Sequence, residues 1–431
     1  MFEKLKMELD GILSEMDENK EHFVTNPEKD FTRKRVLPFE KTMRTIIGMH
    51  GNSLRKELID AFRDIEHRPT KSALVQQRGK IKPEAFRYAF DQFNARTEQY
   101  DNARYKGYRL FAVDGTSVNV ARNPDTESYF NKQDYNMMHI VALYDICNKT
   151  MKDCVIQPRP KMNENSAFVQ MVRRNSFPKK SIILGDRGFA GYNLFETVNR
   201  AENADYLIRV KNDFSRITRI LPDSDIDMMA TVELCTTQTK KDLEDIRSGR
   251  VVLVSGKSRF GKKKAYITWD YENHFRLTMR VVHFELSTGE YETIITSLSK
   301  EEFSLDEIKK LYAMRWGIEN AFRELKYGLG LSRFHAVRED FVVQEIYSHL
   351  LMYNFTTRIA MHVGLTKSKG KYNYQINFMN AFYICKEFFR GKLLHLIEAE
   401  LLAQIEPIRP GRKDKRKVLP TCFIPFLYRA A

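Results

Sequence analysis

Arg109-Leu110-Phe111-Ala112-Val113-Asp114-Gly115-Thr116-Ser117 is a short apolar run that ends on a carboxylate, and Ser181-Ile182-Ile183-Leu184-Gly185-Asp186-Arg187-Gly188 repeats the pattern further along. Apolar runs of this length, bounded by glycine and charge, read as buried strands. Between them, His139–Tyr144 and Lys152–Gln157 flank an Asn148-Lys149 turn and read as a hairpin, and Asn163–Arg174 has helical periodicity. Asn193–Asn199 then reads as helix and Tyr206–Val210 as strand. This order predicts a mixed α/β sheet. If the two acid-ended strands are neighbours, Asp114 and Asp186 emerge side by side at the sheet edge where open α/β folds place their sites.

Two aspartates brought that close repel unless a cation neutralises them, and an all-oxygen donor set suits Mg²⁺ or Mn²⁺. A third carboxylate is on offer in Tyr312-Ala313-Met314-Arg315-Trp316-Gly317-Ile318-Glu319, which runs on to Lys326. Ser304-Leu305-Asp306-Glu307 is a capping box that starts a helix, and Gly328 is placed to stop it. On a uniform helix, Tyr312, Arg315, Glu319 and Lys326 fall within an arc of about 60°. Leu311, Met314, Ile318, Phe322 and Leu325 lie about a quarter-turn away, so one face is expected to be buried and the polar stripe exposed. A carboxylate beside an arginine fork, a lysine and a phenol suits phosphate chemistry. The plain alternative is a surface helix with ordinary i,i+4 charge pairs.

The whole chain fits a polyanionic partner. Its 431 residues suggest two to three domains, and a formal charge of +15 with a pI near 9.4 favours nucleic acid over membrane. Hydrophobic residues at 42% and aromatics at 12% indicate a folded protein. The five cysteines, Cys147, Cys154, Cys235, Cys385 and Cys422, lack C-x2-C spacing, so neither a zinc site nor a disulfide framework is expected. Met1–Asp10 lacks a signal-peptide core and no run of 18 apolar residues occurs, so no membrane association is expected. A reducing cytoplasm, at the nucleoid, is the expected address.

Four regions are expected. Residues 1–100 read as a helical DNA-binding region. Within it Thr70 caps a helix to Arg78, and Pro83 opens another carrying Phe86, Phe90 and Phe93. Two helices around Gly79-Lys80 resemble a helix-turn-helix, with Arg78, Lys80, Lys82 and Arg87 as basic contacts; a plain packed hairpin is the alternative. Residues 101–211 and 301–340 form the catalytic core. Residues 212–300 form a β-rich insertion, with strands at Val251–Val254, Ala265–Trp269, Arg276–Phe284 and Tyr291–Ser297. Residues 341–431 are helical and end in the basic tail Arg412-Lys413 and Lys415-Arg416-Lys417.

Asp114-Gly-Thr, Asp186-Arg-Gly-Phe189 and Tyr312-x2-Arg315-x3-Glu319-x6-Lys326 resemble the DDE transposases of bacterial insertion sequences, in the cut-and-paste group with a Tyr-Arg-Glu-Lys signature. The resemblance spans Arg109 to Lys326. It implies a ribonuclease-H-like core whose β-rich insertion occupies most of the 133 residues between Asp186 and Glu319. It further implies that Asp114, Asp186 and Glu319 hold two Mg²⁺ or Mn²⁺ ions. Tyr312, Arg315 and Lys326 would grip phosphates at the cleaved end, with Arg187 and Arg323 as lesser DNA contacts. The implied partners are double-stranded element ends and target DNA, with a homodimer pairing two ends. Family members proceed through 3′ nicking, a terminal hairpin and strand transfer. Some stack a flipped base on a tryptophan whose place is taken here by Glu292, with Tyr291 beside it; Trp269 or Tyr291 is the candidate substitute. A nuclease or resolvase on the same core, and a non-catalytic end-binding protein, are the rival readings.

Other motifs are weaker. Gly256-Lys-Ser-Arg-Phe-Gly261-Lys262-Lys263 nearly matches a phosphate-binding loop, but lysine replaces the final hydroxyl residue and a strand follows where a helix is required. His139 and His335 are single imidazoles, read as satisfied core or surface residues.

Overall fold

The computed structural model describes residues 1–33, 36–64, 66–129, 135–254, 269–364, 373–393 and 395–408. Lys34-Arg35, the glycine-lysine loop at 256–263, the expected strand start at Ala265, Cys422 and the basic tail lie outside them.

Nine strands form one sheet: β1 (Arg109–Ala121), β2 (Tyr135–Asp145), β3 (Thr150–Pro158), β4 (Ser181–Gly185), β5 (Ala204–Val210), β6 (Ile226–Cys235), β7 (Val251–Leu253), β8 (His274–Glu285) and β9 (Tyr291–Thr296). Their order is β3-β2-β1-β4-β5-β9-β8-β6-β7. The first five, with β2 antiparallel to β1 and β3 while β1, β4 and β5 run parallel, make a ribonuclease-H-like core. The stretch between β5 and the signature helices continues the same sheet, because β9 pairs antiparallel with β5 over Leu207–Val210. Edge backbone groups of the core are thereby satisfied by the extra strands.

Alternation along β1 assigns the two faces. Phe111 and Val113 pack with Phe168, Met171, Phe195 and Val198 under the helices Glu164–Arg174 and Tyr192–Asn199. Leu110 packs with Ile182, Leu184, Ile308 and Leu311 under the helix Leu305–Met314. Ala112 joins the largest cluster, which holds Leu9, Met43, Phe90, Leu350, Phe355, Phe388 and Leu401. Helices from both ends of the chain therefore share one core on one face of the sheet. The foot of β1 is fixed by Arg109, whose buried guanidinium donates to Asp145 (2.5 Å), Glu98 (2.8 Å) and Asp101 (3.2 Å).

The helix-turn-helix reading loses Arg78 as a DNA contact. Helices Lys71–Arg78 and Pro83–Thr97 form, and Thr70 caps the first by accepting from Ala73 N. The second, however, buries Phe86, Phe90 and Phe93 and packs between the helices Phe2–Glu18 and Glu339–Met361. Arg78, expected as a DNA contact, is only 2% exposed. It donates to Glu345 (2.9 Å), Gln344 (2.9 Å) and the Phe341 carbonyl (2.8 Å). A buried arginine needs such partners, and Glu345 supplies the counter-charge. The packed hairpin is what forms.

Candidate active site

Strand β1 does not end at Asp114, as the apolar run suggested, but continues to Ala121 against β2. Its pairing with β4 is what stops there. Val113 faces Gly185, the last residue of β4, so Asp114 stands on one strand beside the point where Asp186 leaves the other. The two carboxylates thus come from in-register neighbours, as the sequence pattern required. Asp114 accepts from Gly115 N and Asp186 from Gly188 N, each at 2.8 Å.

The third element departs from a uniform helix. Helix Leu305–Met314 is started by Glu307, which accepts from Ser304 N at 3.1 Å. The backbone then tightens at Arg315 and Trp316, whose N–H groups bond to Tyr312 and Ala313, three residues back. Gly317–Arg323 is again α-helical, and Glu324–Leu329 is a π-helix. The π segment ends on Gly330, in the left-handed region at φ 82°, with its N–H bonded to Leu325 O. Gly330 rather than Gly328 is therefore the stop; a side chain on Gly328 would sit 2.8 Å from the Phe382 ring. Three hydrogen-bond registers in succession break the steady 100° rotation on which the stripe was built, and π segments are frequent at functional sites.

The stripe is accordingly not one exposed surface. Tyr312 is 7% exposed and Arg315 6%. Arg315 turns inward, with Nη2 2.8 Å from Glu319 Oε1 and Nη1 3.8 Å from Asp114 Oδ2. Its Nε is buried without an acceptor. Lys326 is half-buried, and burial lowers its pKa. Arg187 and Arg323 are exposed, Arg323 donating to Asn320 at 2.6 Å. Burial pushes the Asp114 carboxyl up to about 6; the neighbouring charges of Asp186 and Glu319 add to this, while Gly115 N–H and Arg315 oppose it. Asp114, Asp186 and Glu319 thus share one electrostatic neighbourhood, with one guanidinium spanning two of them.

A cavity of about 670 Å³ opens beside this site, lined by Arg187, Arg209, Lys211, Tyr291 and Glu292 among others. Arg209 pairs with Glu292 at 2.9 Å, and Tyr291 stacks on His283 with ring centroids 5.0 Å apart. Trp269 lies elsewhere, packed by Tyr271 and Phe275.

Residues 105–355, more than half of the chain, match the family of the transposase DDE domain. The chain belongs to that family. No curated protein matches by sequence. Among solved structures, the chain is similar to piggyBac transposase in a cryo-EM synaptic complex with hairpin DNA, at 10% identity and a TM-score of 0.44, covering 89% of this chain and 80% of that one. The matched stretch of the DDE domain contains both aspartates, Glu319, Arg315 and Lys326. No helix of the described residues is long and apolar enough to cross a membrane.

The donor set can be tested for a divalent ion. Among the described residues no three acidic, imidazole or thiol side chains are close enough to hold one as they stand. Arg315 holds Glu319 and reaches Asp114, a cation already placed among these carboxylates. Oxygen-only ligands, mutual repulsion and this stand-in charge fit a hard divalent cation once the guanidinium yields.

The buried pair of His139 Nε2 with Glu164 Oε1, at 2.9 Å, escaped the sequence reading. Gly115, where a Cβ would lie 2.4 Å from Glu164 Oε1, is the glycine inside a strand that marks this close approach, but the sequence pattern reads as a strand ending at Asp114.

Proposed function

We propose that the protein is a metal-dependent DNA transposase of the insertion-sequence type, which binds element ends, cuts them and joins the 3′ ends to target DNA. The observation that carries this is the in-register pairing of β1 with β4, with Asp114 and Asp186 as neighbours and Glu319 tied to Asp114 through Arg315. Asp114, Asp186 and Glu319 would hold two Mg²⁺ or Mn²⁺ ions. Such ions supply Lewis acidity to the phosphodiester and a more acidic attacking hydroxyl.

The chain's own residues do the rest. Arg315, released from Glu319, offers a bidentate fork to a phosphate, and Lys326 a point charge. Tyr312 donates its phenol O–H, while the exposed Arg187 and Arg323 hold flanking phosphates. In cutting, a water oxygen bonds to phosphorus and the bond to the 3′ oxygen breaks, leaving a 3′ hydroxyl and a 5′ phosphate. In joining, that hydroxyl attacks a target phosphate and displaces the target's own 3′ oxygen, so bond count is conserved. Tyr291 beside the Arg209–Glu292 cavity is the candidate platform for an unstacked base if a terminal hairpin forms. Two copies would pair two ends, and the site of action would be cytoplasmic DNA at the nucleoid.

The test is an incubation of the full chain with Mg²⁺ or Mn²⁺ and DNA carrying the termini that flank its own gene. Nicking at the ends followed by joined products supports transposition. Cutting without joining indicates a nuclease or resolvase, and end binding without cutting a non-catalytic binder.

A further inference from the structure

Tyr327, one residue after Lys326, stands on the π segment with 67% of its surface in solvent. The helix Phe378–Phe389 lies against that segment, since a Cβ on Gly328 would meet the Phe382 ring at 2.8 Å and Met379 Sδ at 3.0 Å. Met379 and Tyr383, four residues apart and so on one helical face, are both exposed, Tyr383 by 60%. Tyr383 stacks on His50 with ring centroids 5.0 Å apart. The loop that carries His50 is pinned by the same helix: Arg390 donates to the Gly48 carbonyl at 2.8 Å and Lys386 to the Met49 carbonyl. Arg333 borders this loop, because a Cβ on Gly51 would lie 3.0 Å from its Cδ. Tyr327, Met379, Tyr383 and Arg333 therefore form one patch, which begins at the Lys326 end of the candidate active site.

The charge of this patch is one-sided. Among the described residues Arg323, Lys326 and Arg333 hold no ion pair. The carboxylates of these segments are turned inward. Glu324 accepts from the buried Tyr353 hydroxyl at 3.0 Å, Glu57 from His50 N and Asn52 N at 2.9 Å each, and Glu387 from Arg390 at 2.9 Å. Burial first, and then the cations Lys386, Arg390, Lys392 and Lys56, push the His50 imidazole down to about 2, so it stays a neutral ring against Tyr383. A duplex would use the cations but not the rings, because its bases already stack on one another. Ring faces left in water beside unpaired cations are the two components that hold an unpaired strand: bases stack on the rings and phosphates meet the cations.

We infer that this patch binds an unpaired DNA strand leading away from the cut, with bases stacked on Tyr327 and Tyr383 and phosphates held by Arg323, Lys326 and Arg333. This rests on the DNA-cutting reading above and names the form of DNA taken up on the Lys326 side of the site.

The test is fluorescence anisotropy of the full-length protein on a labelled oligothymidylate of about 16 nucleotides, the upper site size of such surfaces, and on a duplex carrying the element end. Wild type should bind both. Tyr327→Ala and Tyr383→Ala should each weaken single-strand binding by about fivefold or more, the least expected for one lost base stack, with duplex binding and melting temperature retained. Tyr327→Phe and Tyr383→Phe keep the rings and should bind as wild type does. Arg333→Ala should lower the salt slope on the single strand by about 0.7. Tyr327→Ala decides the matter if Tyr383→Ala, which loses the His50 stack, fails to fold. If the alanine variants hold the single strand as wild type does, or lose strand and duplex equally, the inference is refuted. It is also refuted if they keep the strand but lose self-association in sedimentation, which would assign the patch to a second copy of the chain. A wild type that binds the duplex and cuts it but ignores the single strand overturns the inference and leaves the DNA-cutting reading standing. A wild type that binds neither DNA and cuts no ends removes both.

Discussion

Asp114 carries a cost in the metal-free protein that can be measured. Its carboxyl is pushed from 3.8 to about 6, by burial first and then by Asp186 and Glu319. The folded state therefore binds a proton more tightly than the unfolded chain, so stability falls as pH rises through that window. The size of the shift corresponds to about 3 kcal/mol at 1.36 kcal/mol per unit. With its side chain 20% exposed, the group is buried enough for most of this to survive solvent screening. Asp114→Asn removes the charge and keeps the shape. In metal-free buffer the variant should be more stable than wild type, by about 1.5 kcal/mol at pH 5 and about 3 kcal/mol at pH 7.5. Urea unfolding followed by circular dichroism at the two pH values reads the difference directly. Equal stabilities at both, or an advantage that shrinks as pH rises, would refute the crowding of carboxylates argued here.

Two further outcomes follow from the geometry. Arg78→Ala leaves buried Glu345 with His335, 3.1 Å away, as its remaining cationic partner and strands Gln344 and the Phe341 carbonyl, and should cost about 3 kcal/mol in urea unfolding; a loss below about 1 kcal/mol would show that the pair is not desolvated. Lys326→Ala, removing a lysine with no carboxylate partner among the described residues, should lower the salt dependence of end-DNA binding by about one unit of slope. An unchanged slope would mean that the lysine faces protein in the complex.

The core of the fold was legible because two different periodicities carried it. The acid-ended apolar runs at Val113 and Gly185 read as buried strands and form them, and their neighbours in sequence carry the hairpin and the covering helices. Helix starts at Thr70 and Ser304 were legible from capping side chains, which act within a few residues. What was not legible depends on contacts distant in sequence. Arg78 reads as a surface cation until Glu345, far along the chain, arrives beside it. The break at Arg315 and the π-helix at Glu324–Leu329 leave no local mark, since every residue there tolerates an α-helix except the glycines. Burial of Tyr312 and Arg315 follows from that break and from the sheet beneath it.

The central claim is that Asp114, Asp186 and Glu319 close around shared divalent ions. An anomalous-scattering map of crystals of the protein with Mn²⁺ and its own end DNA tests it most directly. The account predicts Mn²⁺ peaks ligated by Asp114 and Asp186, with Glu319 turned to them and Arg315 moved onto a phosphate. Peaks held by other residues, or Arg315 still bonded to Glu319 with no Mn²⁺ between the aspartates, would contradict it.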